Sequence, residues 1–457
     1  MAYLTKEELV SLFYSDEVIQ NNIPQLKTLI SKKSIFAQQI GLEDVALYLK
    51  KIFVDAGAEV TIDKSYCAPF VIARFMSPNP DAKTVIFYNH YDTVPADNDQ
   101  VWTASPFELD IRGDYMFARG IDDDKGHIIA RLTALQKYQL EVGPLPVNVT
   151  FIIEGAEESA SVDLEKYLQR YKSELSSADL LLWEQGDKNE LNQLELTGGN
   201  KGIITFDLSV ESANVDIHSK YGGVIESASW YLLNAITSMR SEDGKILIEG
   251  IYENIKQPTE RELKLVEQYA VENNEKLAEI YGLTLPPLKE ERKEFLKTYF
   301  FEPALNIEGI WSGYLGKGVK PILPAKAMAK MELRLVPGLK TKDVFDKIKN
   351  HLIKNDFDKV TINYTLGEES YRSDMTHPKI LEIISLAEGI YPEGVSILPT
   401  SPGTGPMHTV FEALEVPMVA FGMGNANSRD HGGDENIAIE DYVSHILLVK
   451  ELIKQYE

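Results

Sequence analysis

Cysteine is nearly absent from this chain of 457 residues, with Cys67 the sole example. No internal disulfide can form and no thiolate zinc site can assemble, while a lone thiol without triad partners reads as incidental rather than nucleophilic. Bases are also scarce beside acids, 46 against 70, for a formal charge of −24. That excess of acid argues against an extended phosphate-binding surface, and so against nucleic acid or anionic membrane as a partner. No apolar run approaches the roughly 18 residues that span a bilayer. The opening Met-Ala-Tyr-Leu-Thr-Lys-Glu-Glu lacks the charged start and apolar core of a secretory signal. A cytoplasmic location is therefore expected. Internal repeats and low-complexity tracts are missing as well.

What is present is apolar runs that end in acids and imidazoles. Hydrophobic residues make up 44% of the chain, ample for a core and spread over a length that suits two domains. Val147-Asn-Val-Thr-Phe-Ile-Ile153 reads as a buried strand, with Glu157 and Glu158 just beyond its C-terminal end, where open α/β sheets place their ligand crevices. If one carboxylate binds a metal, the other can act on the water held there, the division of labour that metal-assisted hydrolysis needs. A pair of solvated acids opening a loop is the plainer alternative.

Four further segments decide between these readings. Thr84 to Pro95 is another apolar run, and it carries His90 and Asp92 two residues apart, so the Asp can accept the second ring N–H of the His and fix its tautomer. Asp122-Asp123-Asp124 precedes Ile128, Leu132 and Leu135 at helical spacing; the acids repel one another, suit a helix N-terminus, and would be relieved further by a cation. Asp179-Leu-Leu-Leu-Trp-Glu184 ends in an acid, and a Gly-rich polar loop containing His431 follows an expected strand from Val416 to Phe421. Imidazoles and carboxylates without thiolates describe a hydrolytic site for zinc, manganese or cobalt.

The segments His90-Tyr-Asp92, Arg119-Gly-Ile-Asp-Asp-Asp-Lys-Gly126, Glu154-Gly-Ala-Glu-Glu-Ser159 and Asp216-Ile-His-Ser-Lys-Tyr-Gly-Gly223 resemble the co-catalytic metallopeptidase family M20, which includes carnosinase-like dipeptidases, aminoacylases and desuccinylases. The likeness runs almost end to end. Gly244 to Tyr252, Leu305 to Gly309, Glu332 to Pro337 and Ser373-Asp374 draw it towards the carnosinase-like dipeptidases. The resemblance implies two divalent ions per subunit, Zn2+ first with Mn2+ or Co2+ as alternatives. His90, bridging Asp123 and Glu184 would hold one; Asp123, Glu158 and His431 the other. It makes Glu157 the general base and Asp92 the residue orienting His90, and it joins Asp123 to Asp124 by a cis peptide. Two positions differ from the family pattern: 122 is Asp where small residues or Thr are usual, and His431-Gly-Gly-Asp-Glu-Asn436 replaces the commoner His-Ser-x-Asn-Glu.

The expected architecture is an α/β di-metal hydrolase domain interrupted by an α+β lid and dimerisation domain. Helical patterns over Lys6 to Ile30 and Glu43 to Gly57 precede strands and helices up to about Glu195; an alternating strand from Ile203 to Val210 then changes the character, and the α/β pattern returns from His377. Catalytic segments at 1–202 and 369–457 thus flank a lid at 203–368. Within it, the charged stretch from Pro258 to Tyr281 reads as solvated helix without chemistry. Arg334, in an apolar strand, needs an anionic partner, either a structural salt bridge or, by resemblance, the substrate carboxylate. By the same resemblance His218 polarises the substrate across a homodimer interface, and Gly403 and Thr404 contact the substrate from a breaker-rich loop. His127, His351, His377, His408 and His445 are expected to be structural or exposed.

The implied reaction is hydrolysis of the amide bond in dipeptides or short peptides by a metal-activated water. An N-acyl-amino-acid deacylase or carboxypeptidase on the same site is the nearest alternative, and a catalytically silent peptide-binding protein the alternative from another class.

Overall fold

A computed structural model describes residues 3–96, 100–269 and 273–457. The chain divides into two compact units: Met1–Gly199 with Ser373–Pro399 and Thr409–Glu457, and Asn200–Arg372 with Thr400–His408. The unit boundaries lie a few residues from the expected 202/203 and 368/369. One segment differs more: Thr400–His408, with Gly403 and Thr404, clusters with the inserted unit rather than with the second catalytic segment. Its contacts explain this, since Asn200 donates to the Gly405 carbonyl at 2.7 Å and Arg334 to the Thr404 hydroxyl at 2.8 Å.

The first unit is built on a six-stranded sheet ordered Glu59–Asp63, Phe70–Phe75, Asn148–Glu154, Thr84–His90, Leu180–Leu182, Met418–Val419. The last four strands run parallel, and an antiparallel pair closes the other edge. Thr84–His90 and Asn148–Glu154 are buried over nearly their whole length, as their unbroken apolar runs require. Register pairs His90 with Glu154, so the two principal strands end at one level. The strand expected from Val416 to Phe421 is limited to Met418–Val419, which pairs with Leu181 and Leu182.

Helices cover the sheet. Lys125–Glu141 is buried along all but its last turn, which matches apolar spacing around the helix rather than along one stripe. The N-terminal helical pattern divides at Asp16, whose carboxylate accepts from the Ile19 N–H at 3.0 Å and starts Glu17–Ser31 after Lys6–Ser15 has ended. The final helix, Ile439–Lys454, buries Ile439, Val443, Ile446 and Ile453.

The second unit carries an antiparallel sheet ordered Ala304–Ser312, Lys326–Leu335, Gly202–Glu211, Thr361–Glu368. Gly202–Glu211 alternates buried and partly exposed residues, the period of a sheet covered on one face. Ile204, Phe206, Leu208 and Val210 form that core with Ala228 and Leu232 of Ala228–Ser238 and Val344 and Ile348 of Thr341–Lys354. The charged stretch forms Glu260–Gln268 and Asn274–Tyr281, with the intervening 270–272 outside the described residues. No helix among the described residues is long and apolar enough to cross a membrane.

His351 supplies a pH handle in this unit. Burial lowers its imidazole below the ordinary value and Lys354 adds to the effect, against a backbone hydrogen bond with Ser238. The unfolded chain therefore takes up the proton first, so the stabilisation is complete above about 6.5 and is lost as pH falls through the folded value. Thermal melts across that interval should show the decline, and His351→Gln should flatten it; an unchanged slope would assign the titration to another group.

Candidate metal centre

The C-terminal ends of the parallel strands present the acids and imidazoles. His90 ends Thr84–His90, Glu157 and Glu158 follow Asn148–Glu154 in a short 3-10 turn, Glu184 lies two residues beyond Leu180–Leu182, and His431 sits in the long loop after Met418–Val419. Asp123 comes from the loop before Lys125–Glu141, and its peptide bond to Asp124 is cis. All these residues belong to the first unit.

Asp123 stands at the centre. His90 Nε2 lies 2.9 Å from one of its carboxylate oxygens and His431 Nε2 lies 3.0 Å from the other. Glu158 extends the group on the His431 side, 3.2 Å from Nε2, and Glu184 on the His90 side, 4.0 Å from Nε2. The result is two sets of nitrogen and oxygen donors sharing one carboxylate. Glu184 Oε2 is buried without a hydrogen-bond partner, and Asp123, Glu158 and His431 offer donor atoms within 4.8 Å of one another. An orphaned buried oxygen beside paired imidazoles is what a divalent cation would satisfy, so these residues fit two metal positions.

Electrostatics give the same account. Burial would raise the Asp123 carboxyl, but hydrogen bonds from His431 and His90 reverse this and hold it below the ordinary range. Its bonds to Asp123 and Glu158 push His431 up to about 11. Burial pushes Glu157 and Glu184 well above ordinary carboxylates; His90 opposes this, while neighbouring acids, Asp123 among them, add to it.

Asp92 meets both His90 and the Glu157-Glu158 turn. His90 Nδ1 lies 3.1 Å from the Asp92 main-chain carbonyl and 3.5 Å from its carboxylate. The carboxylate oxygens also accept from the backbone N–H groups of Glu157 and Glu158, at 3.1 and 3.2 Å. Asp92 thus holds the Glu-Glu turn through its side chain and meets His90 mainly through its backbone.

Several supporting residues escaped sequence reasoning. Glu435 is fully buried and accepts from Arg119 at 2.6 Å, from the N–H groups of Gly120 and Asp122 at 3.0 Å each, and from that of Asp123 at 3.2 Å. Arg131 donates to the carbonyls of Tyr88 and Glu184 at 3.0 and 2.8 Å, and to that of Trp183, tying two strand ends together. Their only sequence signal was a charged residue inside a motif or an apolar helix. His127 is buried, 2.8 Å from the Asp122 carbonyl, and its Nε2 accepts from the Met423 N–H at 3.0 Å. His445 is likewise buried, and His377 caps the helix Pro378–Glu388.

The residues assigned to substrate lie in the second unit. Arg334 pairs with Glu332 at 3.2 Å and with Thr404, and its side chain remains 32% exposed. The salt-bridge partner is thus a neighbour on its own strand. Gly403 donates its N–H to the Ser401 hydroxyl at 3.0 Å. His218 is exposed, and its Nδ1 accepts from the Lys220 N–H at 3.1 Å.

Comparison with known proteins follows the same lines. The Beta-Ala-His dipeptidase of Mus musculus is 26% identical over 404 residues, covering 85% of this chain and 80% of that protein. The Cys-Gly metallodipeptidase DUG1 of Candida albicans is 27% identical over 391 residues, covering 82% and 79%. Among solved structures, the M20 family metallo-carboxypeptidase Sso-CP2 from Sulfolobus solfataricus matches with a TM-score of 0.85 at 31% identity, over 95% of this chain and 99% of that one. The model of Peptidase family M20/M25/M40 matches residues 86–455, and the chain belongs to that family.

Proposed function

We propose that this protein is a metal-dependent dipeptidase, a reading carried by the Asp123 carboxylate lying between His90 and His431 with the Glu157-Glu158 turn beside it. The relatives named for β-Ala-His and Cys-Gly substrates support dipeptides as the substrate class. His90, Asp123 and Glu184 would hold one divalent ion, and Asp123, Glu158 and His431 the other, with Zn2+ favoured by the mixed imidazole and carboxylate donors and Mn2+ or Co2+ as alternatives. When bound, such a pair polarises the scissile carbonyl and acidifies the attacking water.

The chain's own residues do the rest. Glu157 accepts the water's proton on a carboxylate oxygen and returns it to the nitrogen of the leaving amine, and the Asp92 carboxylate fixes the turn that presents it. Arg334, with Thr404 at its guanidinium and Gly403 nearby in the chain, is assigned to the substrate carboxylate, for which a planar guanidinium is suited. His218 is assigned to the substrate carbonyl, contributed by the second subunit of a homodimer formed through the inserted unit. A cytoplasmic enzyme fits the scarcity of cysteine.

The 31% identity to a metallo-carboxypeptidase supports a second reading, removal of C-terminal residues from longer chains by the same centre. A metal-supplemented panel of free dipeptides, N-acetylated dipeptides and longer peptides separates the two. Preference for free dipeptides supports the first, and equal turnover of blocked or longer substrates the second.

Glu157→Gln should keep the parent's metal content while turnover falls by about 100- to 10,000-fold, the usual contribution of a positioned acid–base group. Near-normal turnover with full metal loading would remove Glu157 from the proton-transfer role. Glu435→Gln tests the support beneath the centre, because the amide cannot match a carboxylate that accepts from Arg119 and three backbone N–H groups. Metal retention during dialysis should weaken by about 10- to 100-fold, as for other groups that orient ligands, and unchanged retention would make Glu435 a folding residue only.

The dimer assignment has its own test. Because a two-fold interface repeats every contact, chains carrying His218→Ala mixed with chains carrying Glu157→Gln should form heterodimers in which one site has both intact groups. Activity should return from two inactive parents. Demonstrated subunit exchange without recovered activity would place His218 in its own chain's chemistry or outside it.

A further inference from the structure

Beside the paired donor sets lies another group of carboxylates that the proposed chemistry does not use. Asp122, Asp187 and Asp430 each offer an oxygen within 4.8 Å of the others. They come from separate parts of the first unit: the loop before Lys125–Glu141, the short strand Asp187–Lys188, and the loop leading into His431. Clustered acids are common on a surface as acidic as this one, so proximity carries nothing by itself.

Two observations carry more. Asp122 is wholly buried, 0% exposed, and neither of its carboxylate oxygens has a hydrogen-bond partner. Ser428 and Asp430 lie near enough to bias its charge. A buried carboxylate with both oxygens unmet is costly unless something absent from the chain meets them. The backbone is also shaped to leave that space. A Cβ on Gly424 would stand 1.8 Å from an Asp187 oxygen and 2.7 Å from an Asp122 oxygen, so a side chain there would fill the ground between the two carboxylates.

We propose that Asp122, Asp187 and Asp430 bind a third divalent cation, distinct from the ions assigned to the His90 and His431 donor sets. The donors are all oxygens, which selects a hard cation such as Ca2+ or Mg2+ over zinc. Asp187 and Asp430 are solvent-exposed while Asp122 forms the floor, so an ion can enter from water and exchange part of its hydration for carboxylate. Asp122 directly precedes Asp123 and Asp430 directly precedes His431. The cation would therefore brace the two loops that deliver the shared carboxylate and its second imidazole. The competing arrangement is a proton held between Asp430 and Asp122, which needs no ion.

Zinc-loaded protein, equilibrated with Ca2+ or in a parallel arm with Mg2+, should retain one further equivalent of at least one of these ions per chain by elemental analysis. Its melting temperature should rise with that occupancy. Asp187→Asn should lose both the equivalent and the rise while keeping the parent's zinc content, which also reports that the variant has folded. Absence of an Asp187-dependent equivalent of either ion overturns the proposal and leaves the carboxylates sharing protons. Failure of zinc to load would count against the dipeptidase reading alone, because the Asp187-dependent equivalent is measured separately.

Discussion

Negative charge gathered at the end of a buried sheet is the constraint on which the rest of the first unit depends. Asp92, Asp123, Asp124, Glu154, Glu184 and Glu435 are all buried, and Glu157 and Glu158 adjoin them. Burial of so many carboxylates would oppose folding if each kept its charge without a partner. The chain meets this with fixed hydrogen bonds and a few buried cations. Arg119 meets Glu435, Asn89 meets Asp124 at 2.6 Å, and Tyr88 and Ser161 meet Glu154 at 2.5 and 2.8 Å. Among the carboxylates left with an unmet oxygen are Glu184, in the donor sets, and Asp122, beside them.

Two of the satisfied carboxylates act as scaffold for the centre. Asp92 and Glu435 spend their lone pairs on backbone N–H groups and so set the paths of the Glu157-Glu158 turn and the Gly120 to Asp123 loop. One path is a single 3-10 turn and the other a loop, and neither is long enough to hold its own shape. Arg131 does the converse, taking up carbonyls at the strand ends near Glu184. A centre on loops gains its rigidity from such contacts rather than from the sheet's own ladder.

The second unit is organised by a different logic. Its sheet alternates buried and exposed residues, and its two long helices lie over the buried face. Arg334 illustrates the difference from the first unit: its charge is paired locally with Glu332 and remains partly in solvent, so it can be held in place without a deep charge network.

Much of this was legible in the sequence because apolar period and chain order are local properties. Unbroken runs ending at His90 and near Glu157 specify buried parallel strands, and the change to alternation after Gly202 marks the inserted unit. Only the tertiary structure decided which acids meet. Glu435 and Arg119 are 316 residues apart, and nothing in either one's neighbours distinguishes a buried clamp from a solvated loop charge. The same limit hid the bonds that the Asp92 carboxylate accepts from the Glu157 and Glu158 amides, and the contacts that cluster Thr400–His408 with the inserted unit. Strand and helix identity follow from nearest neighbours along the chain, whereas the partner of a charge is settled by desolvation, a property of whatever the fold brings around it.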